Sequence, residues 1–230
     1  MRRIWRAFIS GISAWGEGVV VDASPVLIVL AAGRGSRFRG ARHKLAQPFE
    51  GSTVLGTTLS HALASELPVV VVTIEALSDI ASSAVAARDI VVLPAVESPR
   101  ESLLGMGYSI AAGVAARGNA SGWLVLPADM PMVQPATLRA VARALDAHPV
   151  AYAQHQGRRG HPVGFAAELY SELATLSGDE GARRLVARYP SHGVEVDDSG
   201  VLLDLDTEED LHALRSMRRH RGLNGSVGAK

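Results

Sequence analysis

Cysteine is missing from all 230 residues. Its absence excludes disulfides, thiolate metal sites and a cysteine nucleophile, and it suits a reducing cytoplasm, the compartment expected for this chain. Net charge is missing as well: 23 Lys plus Arg balance 23 Asp plus Glu. With no overall field to draw in a polyanion, nucleic acid is not expected as a partner. Aromatic residues make up only 5%, which leaves no clear interface signal and hence no oligomeric state. No stretch approaches ~18 uninterrupted apolar residues, so neither a membrane-spanning helix nor a membrane partner is expected. The basic start Met1-Arg2-Arg3 leads into an apolar run that Arg6 interrupts, a poor match to a secretory leader.

Present in their place are 47% hydrophobic residues and 23 glycines, the balance of a folded α/β chain. The length suits one sizeable domain. We expect it over residues 25–219, preceded by an extension at 1–24 and followed by a Gly- and Ser-rich tail at 220–230. Short β-branched runs alternate with segments of helical periodicity. Val26–Leu30, Val69–Val72, Ile90–Leu93, Gly122–Leu126, Val150–Gln154, Val163–Ala166, Val194–Val196 and Leu202–Leu205 read as strands. Thr53–Ala64, Ser78–Arg88, Met106–Ala116, Pro135–Ala147, Ala167–Leu176, Ala182–Tyr189 and a segment from Thr207 read as helices. This alternation predicts an α/β fold with three layers, α/β/α, around an open and mainly parallel sheet. In such a sheet ligands bind beyond the carboxyl ends of the strands, so the loops there are where chemistry is sought.

Behind the first strand stand Gly33, Arg34, Gly35, Arg37, Arg39, Gly40, Arg42, His43 and Lys44. Glycines let backbone N–H groups approach an anion, and Arg and Lys add directed donors for phosphate; the competing reading is a solvated basic turn. Phe38 stands where a dinucleotide fingerprint needs glycine, and Ala41 where a Walker loop needs lysine, so neither motif applies. Asp129, in Leu126-Pro127-Ala128-Asp129-Met130-Pro131, follows a buried strand and is placed either as a ligand for a hard cation such as Mg2+ or as a turn residue. Asp204 and Asp206 alternate, which on a strand puts both side chains on one face; they complete a metal site, or Asp206 or Thr207 caps the next helix and Asp204 is solvated. Gly105, Gly107 and Ser109 open a helix whose N-terminus suits an anion or the acceptor edge of a base, unless the stretch is a plain loop. The polar run Gln156–Phe165 offers Arg159 and His161 to a second substrate, His161 either as a catalyst or to position it. No Ser/His/Asp triad or zinc-type His cluster emerges from spacing.

Taken in order, Leu30-Ala31-Ala32-Gly33 with Arg37 and Lys44, Gly105-Met106-Gly107-Tyr108-Ser109, Pro127-Ala128-Asp129-Met130-Pro131 and Asp204-Leu205-Asp206-Thr207 resemble the MobA/MocA-like nucleotidyltransferases across residues 26–218. The resemblance implies the glycosyltransferase-A-type fold and transfer of NMP from an NTP to a phosphorylated small molecule. By position it implies Ala31, Ala32 and Gly33 at the base and ribose, with Arg34, Gly35, Gly105, Gly107 and Ser109 also binding the nucleotide. It sets Arg37 and Lys44 on the triphosphate, and Asp129 with Asp206 and Asp204 on Mg2+. Gly160-His161-Pro162-Val163 is similar to the molybdenum cofactor cytidylyltransferase branch. That implies CTP, with GTP as the alternative, molybdopterin cofactor as acceptor and a molybdoenzyme apo-protein as a possible recipient. Rival readings are NMP transfer to a sugar phosphate and a nucleotide- or cofactor-binding accessory protein without turnover. The chain departs from the family where Phe38 to His43 intervene before Lys44 in place of a shorter Met-Gly path.

Overall fold

Val26, Leu27, Ile28 and Val29 are all completely buried, because the strand they form, β1 (Val26–Ala31), lies between two apolar layers. The computed structural model describes residues 24–33, 38, 42–94 and 105–225, with side chains through Met217. Successive β1 side chains point to opposite faces. Leu27, Val29 and Ala31 join one core and Val26 and Ile28 the other. At about 1.5–3 kcal/mol for each large aliphatic side chain removed from water, this strand is the thermodynamic spine of the sheet.

The remaining elements are β2 (Pro48–Phe49), β3 (Ser52–Thr53), α1 (Val54–Ala64), β4 (Val69–Ile74), α2 (Ser78–Ser82), β5 (Ile90–Leu93), α3 (Met106–Ala116), β6 (Gly122–Pro127), α4 (Pro135–Ala144), β7 (Val150–His155), β8 (Arg158–Ala166), α5 (Tyr170–Leu173), α6 (Arg183–Arg188), β9 (Ser191–Glu195) and α7 (Glu208–Gly225). Seven strands form one sheet in the order β5-β4-β1-β6-β8-β7-β9. The β5/β4, β4/β1, β1/β6 and β7/β9 pairs are parallel, whereas β8 is antiparallel to both its neighbours. One core gathers Leu55, Leu59, Leu77, Leu138, Val141, Leu211 and Leu214 from α1, α4, α7 and the α2 region. The other gathers Ile110, Val114, Leu173, Leu185 and Val186 from α3, α5 and α6. The structure is therefore the mainly parallel three-layer α/β/α fold predicted. Leaving β1 the chain moves outward to β4 and β5, and later returns to β6 on the other side. That reversal opens a crevice at the carboxyl ends of β1 and β6.

Several elements depart from the sequence reading. Leu202–Leu205 is no strand: a 3-10 turn spans Ser199–Leu202, and the Leu205 N–H donates to the Asp129 carbonyl (3.0 Å) instead of to a ladder. The helix expected over Ser78–Arg88 ends at Ser82. The hydroxyls of Ser78, Ser82 and Ser83 donate to carbonyls three residues back, local bonds that compete with helix continuation. Within Ala167–Leu176, the first residues form a 3-10 turn and the α-helix is confined to α5. β8 begins at Arg158, earlier than apolarity indicates, since β7 pairs with its polar half, Gln154 with Arg159 and His155 with Arg158. β9 begins at the polar, exposed Ser191 and His192, and α7 continues to Gly225, into the stretch read as a tail. The 1–24 extension lies outside the described residues, apart from Ser24.

Candidate active site

Lys44 stands in a 3-10 turn, Lys44–Ala46, that the buried Leu45 pins to the core. From there its ammonium enters the crevice between β1 and β6. It donates to Asp129 Oδ2 (2.6 Å), to the Leu205 carbonyl (2.9 Å) and to Asp206 Oδ1 (3.0 Å). An ammonium has three protons, and here they join two acceptor segments, Asp129 and Leu205–Asp206, both distant from Lys44 in sequence. The side chains of Lys44 and Asp129 are only 11% and 16% exposed, which makes this a partly buried charge cluster and not a surface pair of small consequence. Burial works to lower the pKa of Lys44, but the charges and hydrogen bonds of Asp129 and Asp206 outweigh it and hold it above 10.5.

Asp129 follows β6 directly. Its position is set by backbone: the Ala128 N–H donates to the Leu30 carbonyl (3.0 Å), and the hydroxyl of Thr58 in α1 donates to the Ala128 carbonyl (2.8 Å). Its second oxygen, Oδ1, is buried and has no hydrogen-bond partner among the described residues. A buried carboxylate oxygen in that condition is costly. No group of three or more His, Cys, Asp and Glu is gathered as a metal cluster among the described residues. Mg2+, however, takes one or two carboxylates and completes its shell with water and phosphate oxygens. The pair Asp129 and Asp206, with the unpartnered Oδ1, fits that requirement.

The alternation of Asp204 and Asp206 on a strand face does not occur, because no strand forms there. Asp204 is exposed, while Asp206 reaches Lys44. Thr207 and Asp210 cap α7 reciprocally: the Asp210 N–H donates to Thr207 Oγ1 (3.1 Å), and the Thr207 N–H donates to Asp210 Oδ2 (2.8 Å). The cap therefore belongs to Thr207, and Asp206 is left for the crevice.

On the β1 side Ala31 is buried, Ala32 half-buried and Gly33 exposed; Arg34, Gly35 and Arg37 lie outside the described residues. Gly105 caps α3 and Gly107 lies in its first turn, and both admit no larger residue: a Cβ on Gly105 would strike Asp179 and Gly178, and one on Gly107 would come within 2.6 Å of the Ser177 carbonyl oxygen. The Gly107 N–H donates to the Gly178 carbonyl (2.8 Å), so this amide serves the chain. Ser109 is buried on the same helix.

Antiparallel β8 brings His161 back toward the carboxyl end of β6. Burial lowers its pKa below 6.5; Asp129 and Asp204 pull upward, while Arg159 and Arg183 reinforce the downward shift. The imidazole is therefore neutral at pH 7. Arg159 is exposed with its guanidinium 4.4 Å from the centre of the Tyr152 ring. Sequence reasoning assigned no role to His43, Leu205 or Arg183. Two of these act through backbone position or a ring nitrogen whose partner is ten residues away, as with His43 and Gly33, and no motif records such contacts.

The profile of the MobA-like NTP transferase domain matches residues 27–194. Purine catabolism protein PucB of Bacillus subtilis (strain 168) is 30% identical over 200 residues, which is 84% of this chain and 97% of that protein. The crystal structure of Rv0371c from Mycobacterium tuberculosis H37Rv is similar with a TM-score of 0.71 and 30% identity, over 84% of this chain and 98% of that one. A structure of Rv0371c in complex with manganese gives a TM-score of 0.67 at 28% identity over the same shares, 84% and 98%. A nucleotidyl transferase from Methanothermobacter gives 0.68 at 26% identity, over 85% of this chain and 97% of that one. With a matching domain profile across most of its length, the chain belongs to the MobA-like NTP transferase family of nucleotidyltransferases.

Proposed function

We propose that this nucleotidyltransferase, with residues 25–219 as its catalytic unit, transfers CMP from CTP to a phosphorylated pterin-type acceptor, the molybdenum cofactor, and releases pyrophosphate. The observation that carries this reading is the joining of Asp129 and Asp206 through Lys44 at the carboxyl ends of β1 and β6, with Asp129 Oδ1 buried and without a hydrogen-bond partner among the described residues. The manganese in Rv0371c supports a divalent cation here, held by Asp129 and Asp206. When bound, such an ion neutralises phosphate charge and favours attack at phosphorus.

The chain's own residues supply position and charge. Ala31, Ala32 and Gly33 receive base and ribose, Arg37 and Lys44 the triphosphate. Gly105, Gly107 and Ser109 bound the nucleotide through shape more than through the Gly107 amide. An acceptor phosphate oxygen attacks the α-phosphorus in line. The new P–O bond forms as the bond to the bridging oxygen of the β-phosphate breaks, and pyrophosphate leaves with that electron pair. The attacking oxygen is already anionic, so no protein base is needed, and a neutral His161 beside Arg159 serves to orient the acceptor. The choice of CTP rests on Gly160-His161-Pro162-Val163.

Pyrophosphate release, measured for each of the four NTPs with molybdopterin cofactor, sugar phosphates and other phosphate esters, tests the proposal. Release with CTP and molybdopterin cofactor is expected. Preference for GTP or for a sugar phosphate would overturn the substrate assignment, and tight nucleotide binding without release from any pair would make the protein a binder.

A further inference from the structure

His43 bridges two chain segments that the proposed site requires in register. Its Nδ1 accepts the Leu45 N–H (3.2 Å), so the proton of the neutral ring resides on Nε2. That nitrogen lies 3.0 Å from the Gly33 carbonyl oxygen, to which it donates. On one side the ring thus holds the turn that carries Lys44. On the other it holds the backbone leaving β1.

The two ends are not equally secure. The Lys44 turn is anchored by Leu45 in the core and by the Ala46 N–H donating to the His43 carbonyl (2.9 Å). The Gln47 side chain also donates to the Arg42 carbonyl (3.0 Å). Gly33 is exposed, and a Cβ built on it would meet nothing within 4 Å among the described residues, so no side chain among them packs against its Cα. Its carbonyl is ten positions from the ring that grips it, and holding such a span closed carries an entropic cost.

We propose that His43 is a positioning residue for nucleotide binding: its neutral ring fastens the Gly33 carbonyl to the Lys44 turn, setting the ribose side of the site against its triphosphate side. This rests on the assignment of Gly33 and Lys44 to the nucleotide made above. A hydrogen bond of this kind contributes about 0.5–1.5 kcal/mol, so its loss weakens nucleotide binding about twofold to tenfold.

Calorimetric titration with Mg·CTP and Mg·GTP tests it, alongside thermal melts. His43→Phe keeps a flat ring but removes both nitrogens, and should bind up to about tenfold more weakly with a Tm lowered by only a few degrees. His43→Gln places an amide N–H near the Nε2 position and should recover most of the affinity. His43→Asn can satisfy only the Leu45 N–H and should not. Parental affinity in His43→Phe, or equal weakness in His43→Gln and His43→Phe, would overturn the proposal. Lys44→Met separates the two readings. If it binds as tightly as the parent, the site assignment fails; if it binds poorly while His43→Phe binds normally, only the role of His43 fails.

Discussion

Asp129 is the residue on which the charge balance of the crevice turns. Asp129→Asn keeps shape but removes the charge that faces Lys44 (2.6 Å), and with it one of two carboxylates suited to a hard cation. Pyrophosphate release should fall by about 100-fold or more, the scale of losing a preorganised electrostatic contact, while urea unfolding should show a loss of about 1–3 kcal/mol or less. Turnover near the parental rate would remove Asp129 from the site. His161 acts through its proton. Its pKa in the fold is lowered from 6.5, chiefly by burial, so the unfolded chain binds that proton first as pH falls. The stability that neutral His161 contributes is present above 6.5 and lost as pH drops below it toward the folded value. Between pH 7.5 and 5.5 the parent should therefore lose stability relative to His161→Asn in urea titrations. Parallel losses in the two proteins would contradict this. Asp129 and Asp206 were legible in the sequence because carboxylates stood where strands were expected to end, and Lys44 because it closes the basic loop after the first strand. That a single ammonium would join them was not, since it depends on the Leu205 carbonyl and on the turn held by Leu45.

The same division holds for whole elements. Strands buried on both faces, such as β1 and β4, announce themselves as unbroken β-branched runs. β9 and the first half of β8 do not, because their polar residues gain strand geometry only from a neighbour's ladder. α4 shows how a distant residue completes an element. Pro135 sets its first turn, yet Gln134 makes no side-chain cap bond. Asp198 supplies the cap from afar, accepting the Gln134 N–H (2.8 Å), the Thr137 hydroxyl (2.7 Å) and the Gly200 N–H (3.0 Å). It is 4% exposed, and the N-terminal end of the helix favours its charge. Asp198→Ala leaves these donors without their acceptor and should cost about 2–4 kcal/mol in urea unfolding. A cost below about 1 kcal/mol would mean that water replaces the carboxylate readily. No motif marks Asp198, because the contact depends on the 3-10 turn that replaced the expected Leu202–Leu205 strand.

At the scale of the molecule, the site is a brace across three parts of one fold: the loop after β1, the end of β6 and the segment between the Ser199–Leu202 turn and α7. The last of these reaches the crevice only because it lies close against β8. Gly160 is where that approach is tightest, for a Cβ there would collide with the Val201 carbonyl oxygen and crowd Val201 Cβ at 3.0 Å. Val201 and Leu205 belong to the same core as Leu27, Val29 and Ala31 of β1, and the Leu205 backbone contacts both Asp129 and Lys44. A methyl group at position 160 must therefore push the 199–206 segment outward, and Asp206 with it. Gly157 provides the control. It sits in the β7–β8 turn at φ 74° with nothing within 4 Å of a Cβ among the described residues, so Gly157→Ala incurs left-handed backbone strain of about 1 kcal/mol. Gly160→Ala should lower both stability and pyrophosphate release, whereas Gly157→Ala should lower stability slightly and leave turnover intact. The two effects of Gly160→Ala share one cause, so shortening the Val201 side chain in the same protein should not restore activity, because the collision is with backbone. Full activity in Gly160→Ala would show that the 199–206 segment can shift without carrying Asp206 away from Lys44, and that the brace is looser than its contacts imply.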